Sequence, residues 1–207
     1  MDMLALAQQC APSVHPQTMA AVVGVESGSN PFAIGVVGGT LVRQPNNLAE
    51  ATATAQALDR AGYNFSVGIA QVNRYNLAKY GLDYVTAFDA CESLRAGSLI
   101  LKECFDRARV RITDQQQALH AAFSCYYSGN FATGFRADFR GQPSYVQKVV
   151  SRAGGTVSPA PSIQAIPLIR SARNKPVRIN TLTRTRESRE TPTVTDVEGD
   201  HTVMVYR

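Results

Sequence analysis

The amino-acid sequence predicts a mainly helical domain of the α+β type, with a small β-element and a disordered tail. Apolar residues recur at the spacing of one helix face in four segments of the chain. These segments are roughly residues 2–10, 16–27, 92–109 and 114–128. Residues 156–200 are instead rich in Thr, Arg and Pro, a composition that cannot bury a core. We therefore predict a folded domain over residues 1–153 and a disordered tail over residues 154–207.

The second helix carries an acid where an apolar residue is expected. Its apolar face is formed by Met19, Val22 and Val23. Glu26 continues this face in the last turn before Gly28, so its carboxyl points the same way as the apolar side chains. Partial burial and the negative end of the helix dipole both disfavour a charged carboxylate. We expect the pKa of Glu26 to be raised toward neutrality, as a general acid requires, unless the side chain turns out to solvent.

Small residues in the third and fourth helices permit close packing. Gly97 and Ser98 lie on the apolar face of the third helix. The fourth helix begins with Asp114 as a cap and presents a stripe of small residues. The stripe consists of Ala118, Ala121, Ala122 and Cys125. We expect it to pack against another helix, with the helix that carries Glu26 as one candidate.

A long insert separates Glu26 from Gly68. Within it, Asn47 is suited to cap a short helix and Gly62 to end that helix. Residues 65–72 follow as a short strand or a turn. Two roles fit the insert: it lines one side of a groove, or it packs against the domain.

The net charge of +5 is spread unevenly. Residues 1–155 hold 13 Lys and Arg against 11 Asp and Glu, whereas residues 156–207 hold 8 against 5. A basic arm can bind nucleic acid. The tail, however, has no aromatic residue between Thr156 and Met204 that could stack on a base. We therefore expect a solvated tail and no nucleic-acid partner.

The four cysteines predict disulfides. Cys10, Cys91, Cys104 and Cys125 lie at long spacings without a Cys-x-x-Cys pair, which suits an exported protein better than a metal site. A continuous helix from about residue 92 puts Cys91 and Cys104 about 20 Å apart, and a disulfide needs Cα atoms within about 7 Å. Cys10 and Cys125 then either pair with each other or each take one of the other two.

The sequence shows no motif for a metal, a cofactor or an activated nucleophile. His15, His120 and His201 are scattered, and we interpret each as a surface or capping residue. No apolar run reaches the roughly 18 residues of a membrane span. No signal peptide is visible either, because residues 1–2 include an acid and the apolar run at residues 4–7 is short.

Four segments in sequence order resemble the motifs of the soluble lytic transglycosylase family. They are Glu26-Ser27 with Asn30-Pro31-Phe32-Ala33, Gly68-Ile69-Ala70-Gln71-Val72-Asn73, Cys125-Tyr126-Tyr127-Ser128-Gly129 and Tyr145-Val146-Gln147-Lys148-Val149. The family patterns are Glu-Ser-x-x-x-Pro-x-Ala, Gly-Leu-Met-Gln-Ile, Ala-Tyr-Asn-x-Gly and Tyr-Val-x-x-Val. The resemblance covers residues 4–150 and implies a goose-lysozyme-like fold whose β-element lies beside the substrate cleft. The long insert looks most like that of the VirB-type members of type IV secretion systems.

The resemblance implies an enzyme without a cofactor that cleaves peptidoglycan in the periplasm to a 1,6-anhydro product. Glu26 would be its acid and then its base. Gln71 and Asn73 would hold the sugar, and Ser27 would support the helix end. Tyr126 would hydrogen-bond Glu26 or the substrate. By matched position Ser27 and Tyr127 would also belong to the substrate-binding residues. Tyr127 stands where the family has Asn, so the amide of the family motif is absent here.

Two alternatives to this function remain. A goose-type lysozyme would use the same acid with an activated water, and a non-catalytic assembly factor would only bind peptidoglycan. A second carboxylate, which a hydrolase usually needs, has no comparable setting. The acids considered, all interpreted as solvated, are Asp59, Asp83, Asp89 and Asp138. In the tail, residues 202–206 form a β-prone run that we predict to dock on a secretion-system component.

Overall fold

The computed structural model describes residues 2–154, which form six α-helices and a small antiparallel sheet. The helices are α1 (Met3–Cys10), α2 (Pro16–Glu26), α3 (Leu48–Arg60), α4 (Ala90–Arg109), α5 (Gln115–Ser128) and α6 (Tyr145–Arg152). The strands are β1 (Ile34–Val36), β2 (Phe65–Val67) and β3 (Val72–Asn73), adjacent in that order. The mainly helical class is confirmed. The four predicted helices and the helix predicted after Asn47 are all present, and the predicted strand or turn at residues 65–72 is two strands with a turn between them.

Local chemistry explains where the helices begin. The side chain of Asp114 accepts the backbone N–H of Gln117 at 2.7 Å, and that of Asn47 accepts the N–H of Glu50 at 2.9 Å. His15 caps α2 through Nδ1, as predicted for a capping residue. These bonds satisfy backbone donors that have no partner inside a helix.

The α4 helix crosses the core and approaches its neighbours closely at Gly97. A Cβ at this position would lie 2.7 Å from the Cβ of Ala70 and 3.0 Å from the hydroxyl of Tyr126. The small-residue stripe of α5 packs mainly against α4, where Ala118 and Ala121 join Ala108 in one apolar cluster. The α2 helix, considered above as the partner of that stripe, packs instead mainly against α1 and α6.

Two disulfides fix the helices to one another. Cys10–Cys91 joins α1 to α4 with a Cα–Cα distance of 5.1 Å, and Cys104–Cys125 joins α4 to α5 at 5.7 Å. Of the two arrangements left open by the sequence, each terminal cysteine therefore takes one of the central pair. The prediction that Cys91 and Cys104 do not pair is confirmed.

The interpretation of His120 as a surface or capping residue is wrong. His120 is not a surface residue: it is 5% exposed, because α5 is buried on nearly every side. No helix within residues 2–154 has the length and apolar character needed to cross a membrane. The tail, its run at residues 202–206 and His201 lie outside the described residues.

Candidate active site

Glu26 lines a cavity of about 320 Å³. It is the last residue of α2 and is partly buried, while Met19, Val22 and Val23 on the same face are fully buried. The predicted position of the acid on an otherwise apolar face is confirmed. Opposite it, the cavity is lined by residues 33–36 and 39–41, Gln44 and Gln71.

The long insert has both of the roles considered for it. Its first part lines the cavity, since β1 and the loop that follows form the wall. Its second part packs, since Ala51 and Ala55 of α3 are fully buried in the core. Gln44 joins the loop to β1: its amide accepts the N–H of Ile34 at 2.8 Å and donates to the Ile34 carbonyl at 3.0 Å. The Gln44 side chain thus bonds both backbone groups of Ile34, as a neighbouring strand would, and attaches the loop to the edge of β1.

Tyr145 provides a contact to the acid that sequence reasoning missed. Its hydroxyl donates to Oε1 of Glu26 at 2.5 Å. Tyr145 is the first residue of α6, whose start is set by a capping box between Ser144 and Gln147. The motif at residues 145–149 marked this segment, but only the packing of α6 against α2 shows what the hydroxyl does.

A tight turn at residues 68–71 brings Gln71 to the cavity. Gly68 has a φ of +78°, and a Cβ there would lie 2.0 Å from the carbonyl oxygen of Ala87, so the position requires glycine. Gln71 itself has a φ of +48°, which a non-glycine residue rarely adopts. Its Nε2 donates to the carbonyls of Ala33 at 3.0 Å and Gly68 at 2.9 Å. With both amide hydrogens used, its carbonyl oxygen is the group that can accept a hydrogen bond from a ligand.

Ser27 and Tyr126 tie this turn to the helices. The Ser27 hydroxyl donates to the carbonyl of Ile69 at 2.7 Å, so Ser27 does hold the end of α2 in place. Tyr126 donates to the carbonyl of Ala70 at 2.6 Å and is 3% exposed. The Tyr126 proton, predicted to go to Glu26 or to the substrate, goes instead to a backbone carbonyl in the core. Burial, followed by the nearby charge of Glu26, raises the pKa of Tyr126 well above its usual value, so it stays neutral.

Asn73 does not face the cavity. It is fully buried, its Nδ2 donates to Oδ1 of Asn64 at 2.8 Å, and its Oδ1 accepts the N–H of Tyr75 at 3.1 Å. The predicted sugar contact is corrected accordingly: Asn73 supports the sheet and the turn after it.

Tyr127 also points away from the predicted substrate contact. It is 6% exposed, and its ring stacks on that of Tyr145 with centroids 4.6 Å apart. Its hydroxyl donates to Oδ1 of Asp138 at 2.7 Å. Asp138 is exposed, as predicted for a solvated acid, but its carboxylate also accepts this hydrogen bond, and Nζ of Lys148 lies 3.7 Å from its other oxygen.

The cavity suits proton transfer to a polar ligand. Among the described lining residues, Glu26 is the one that carries a carboxyl group. The Tyr145 hydroxyl, which is not part of the lining, donates a hydrogen bond to it. Within residues 2–154 no three His, Cys, Asp or Glu side chains come together as metal ligands. The chemistry that this arrangement supports is general acid and base catalysis by a single carboxyl.

A helical domain with one such carboxyl beside a small sheet is the arrangement of a glycan-cleaving enzyme, and comparison with known families agrees. The family described as Transglycosylase SLT domain matches residues 3–137, so the chain belongs to this family. Type IV secretion system protein virB1 of Brucella suis is 62% identical over 168 residues, which cover 81% of this chain and 69% of the relative. Protein virB1 of Rhizobium radiobacter is 36% identical over 154 residues, covering 73% and 61%. The chain is thus a peptidoglycan lytic transglycosylase of the VirB type. No solved structure matches it significantly.

Proposed function

We propose that the protein cleaves the β-1,4 linkage between N-acetylmuramic acid and N-acetylglucosamine and closes the muramoyl residue into its 1,6-anhydro form. The observation that carries this proposal is the single carboxyl of the described cavity lining. A hydrolase usually needs a second carboxylate to activate water or to act as a nucleophile. Ring closure needs no water.

In this mechanism Glu26 acts twice. Its carboxyl first donates a proton to the glycosidic oxygen, and the bond from C1 to that oxygen breaks. The resulting carboxylate then takes the proton of the muramoyl 6-hydroxyl as O6 bonds to C1. The proton count of Glu26 is restored at the end of the cycle. Tyr145 keeps the carboxyl in place for both steps through its hydrogen bond to Oε1.

The walls of the cavity bind and orient the sugar. Gln71 offers its carbonyl oxygen to a sugar hydroxyl, and residues 39–41 form a further part of the cavity wall. Ser27 keeps the end of α2, and with it Glu26, fixed against the turn. Asn73, Tyr126 and Tyr127 do not line the cavity, and they support it through hydrogen bonds inside the domain.

The products test this mechanism. Purified sacculi are digested in water enriched in oxygen-18, with a hydrolytic lysozyme in parallel. We expect anhydromuropeptides, each lighter by one water than the hydrolytic product and free of the heavy oxygen. Reducing-end muramic acid that carries oxygen-18 would instead support the goose-type lysozyme alternative.

We propose further that the enzyme acts in the periplasm and opens the wall for assembly of a type IV secretion apparatus. The printed name of the Brucella relative, a type IV secretion system protein, supports this context. The two disulfides suit an oxidising compartment. A non-catalytic assembly factor is the alternative, and it would bind sacculi without releasing soluble products.

A further inference from the structure

Tyr127 contacts the residue that holds the catalytic acid. Its ring lies nearly parallel to the Tyr145 ring, with an interplanar angle of 16° and centroids 4.6 Å apart. The Tyr145 hydroxyl at the far end of that ring donates to Glu26. At this position the family motif has Asn, which offers no ring for stacking.

The Tyr127 ring is itself fixed at its outer end. Its hydroxyl donates to Asp138 at 2.7 Å, and Lys148 of α6 lies 3.7 Å from the other oxygen of the same carboxylate. The ring is 6% exposed and packs in the apolar cluster that includes Tyr145 and Val146. Packing therefore holds the Tyr127 ring, and the bond to Asp138 holds its hydroxyl.

This arrangement controls where the Tyr145 hydroxyl lies. Rotation of a tyrosine about its Cα–Cβ bond moves the hydroxyl further than any other atom of the side chain. A flat neighbour along the ring face removes that freedom and favours one orientation. The hydrogen bond from Tyr145 to Glu26 depends on that orientation.

We propose that Tyr127 is a positioning residue: it holds the plane of the Tyr145 ring and thereby directs the Tyr145 hydroxyl at Glu26. Asp138 fixes Tyr127 in turn. This role rests on the proposed function of Glu26 as the acid. It assigns Tyr127 a part in the reaction without contact to substrate.

Three substitutions measure the effect on soluble glycan strands. Tyr127→Leu removes the ring, and we expect kcat to fall by roughly 10- to 100-fold, because a displacement near 1 Å has an effect of this order. KM stays unchanged, since Tyr127 lies outside the cavity lining. Tyr127→Phe and Asp138→Ala keep the stacked ring and each remove the outer hydrogen bond, one by deleting its donor and the other its acceptor. We expect a smaller loss of kcat that is equal in both variants.

A double-mutant cycle with Tyr145→Phe identifies the route of the effect. If Tyr127 acts through the Tyr145 hydroxyl, Tyr127→Leu has little further effect in the Tyr145→Phe protein. Losses of kcat that multiply in the double variant would overturn the proposal. The matched control is Tyr84→Leu, which removes a half-buried tyrosine stacked on Phe65 at 5.8 Å. It should lower the thermal midpoint and leave kcat unchanged.

Folding is checked by thermal unfolding of every variant. If Tyr127→Leu does not fold, the same cycle is run with Tyr127→Phe and Asp138→Ala, whose equal losses must vanish in the Tyr145→Phe protein. An active Glu26→Gln protein would show that the proposed function is wrong. An inactive Glu26→Gln protein together with fully active Tyr127 variants would show that only the positioning role is wrong.

Discussion

The hydroxyl of Tyr145 donates to Oε1 of Glu26 at 2.5 Å, although 119 residues separate the two in the sequence. This bond joins the start of α6 to the end of α2. The carboxyl that we propose as the acid is therefore oriented by the last helix of the described domain, and this contact forms only once that helix has packed. Because a hydroxyl donor stabilises a carboxylate, the bond also supports Glu26 in the half of the cycle in which it is charged.

Glu26→Gln should abolish glycan cleavage while the fold stays intact. The amide keeps the volume of the side chain but has no proton to transfer, and a lost general acid typically lowers the rate by about 10²–10⁴-fold. Release of soluble muropeptides from sacculi measures the effect. Glu92→Gln, at an exposed ion pair with Arg95, is the control and should retain full activity. Turnover of Glu26→Gln within a few-fold of wild type would exclude Glu26 as the acid.

Gln44→Ala should raise KM for glycan strands and leave kcat nearly unchanged. The substitution removes two hydrogen bonds to the backbone of Ile34, so the loop that forms the cavity wall loses its attachment. At about 1 kcal/mol for each of the two bonds, KM should rise by roughly 30-fold. Gln56→Ala, on the exposed face of α3, is the control. An unchanged KM would mean that the loop does not bind substrate.

Local patterns predict the parts of the site that depend on one segment of chain. The helical period places Glu26 on the face of Met19 and Val23, and the motif order brings Gln71 into the same site. Hydrogen-bond partners across the fold do not follow from such patterns. The sequence indicates a hydroxyl at Tyr126, but only the packed structure shows that the carbonyl of Ala70 accepts it.

Two further misses have the same physical origin. The position of Asn73 in the family motif implies a sugar contact, whereas its pairing with Asn64 uses its amide inside the domain. His120 is predicted to be a surface or capping residue because the three histidines are scattered along the chain. Its burial depends on how many elements surround α5, which the helical period does not report.

Removal of the disulfides should lower stability by different amounts. The pair Cys10–Cys91 closes 81 residues and Cys104–Cys125 closes 21. The chain-entropy model gives roughly 4.5 and 3 kcal/mol for loops of these lengths. Chemical unfolding of the double Cys→Ala variants measures both. A larger loss of stability for the pair Cys104–Cys125 would show that native packing, not loop length, determines the contributions.

Stability should fall as the pH is lowered through the usual range of histidine. Burial lowers the pKa of His120, with the Asp114 carboxylate opposing the shift, and within residues 2–154 its Nδ1 has no hydrogen-bond partner. The unfolded chain therefore takes up a proton at this side chain near pH 6.5, before the folded protein does. Between the two pKa values the unfolded state binds more protons, so acid favours unfolding. The thermal midpoint should drop between about pH 7.5 and about pH 5.5.

His120→Gln should reduce that drop, because the amide does not titrate. His15→Asn is the matched control: it removes an exposed histidine and keeps a side chain that can cap α2. If wild type and His120→Gln lose stability equally over this pH range, another group is responsible.

Truncation after Gly155 should leave glycan cleavage intact and abolish binding to secretion-system components. The site residues lie between Glu26 and Tyr145, so the enzyme domain keeps its whole cavity. The tail cannot bury a core, yet Thr202-Val203-Met204-Val205-Tyr206 is a β-prone run. We predict that this run adds as a strand to an exposed sheet edge of a partner, with Val203 and Val205 on one face.

Activity on sacculi and pull-down of apparatus proteins from cells that produce the secretion system are measured in parallel. A full-length Val203→Asp and Val205→Asp variant separates the two explanations for a lost partner, because it keeps the length of the tail and disrupts only the apolar face of the run. It should lose the partner as the truncated protein does, while cleaving glycan like wild type. The docking role is wrong if every partner is retained without the tail. A fall in activity by more than a few-fold on truncation would contradict a dispensable tail, because it would mean that residues beyond 155 support the cavity.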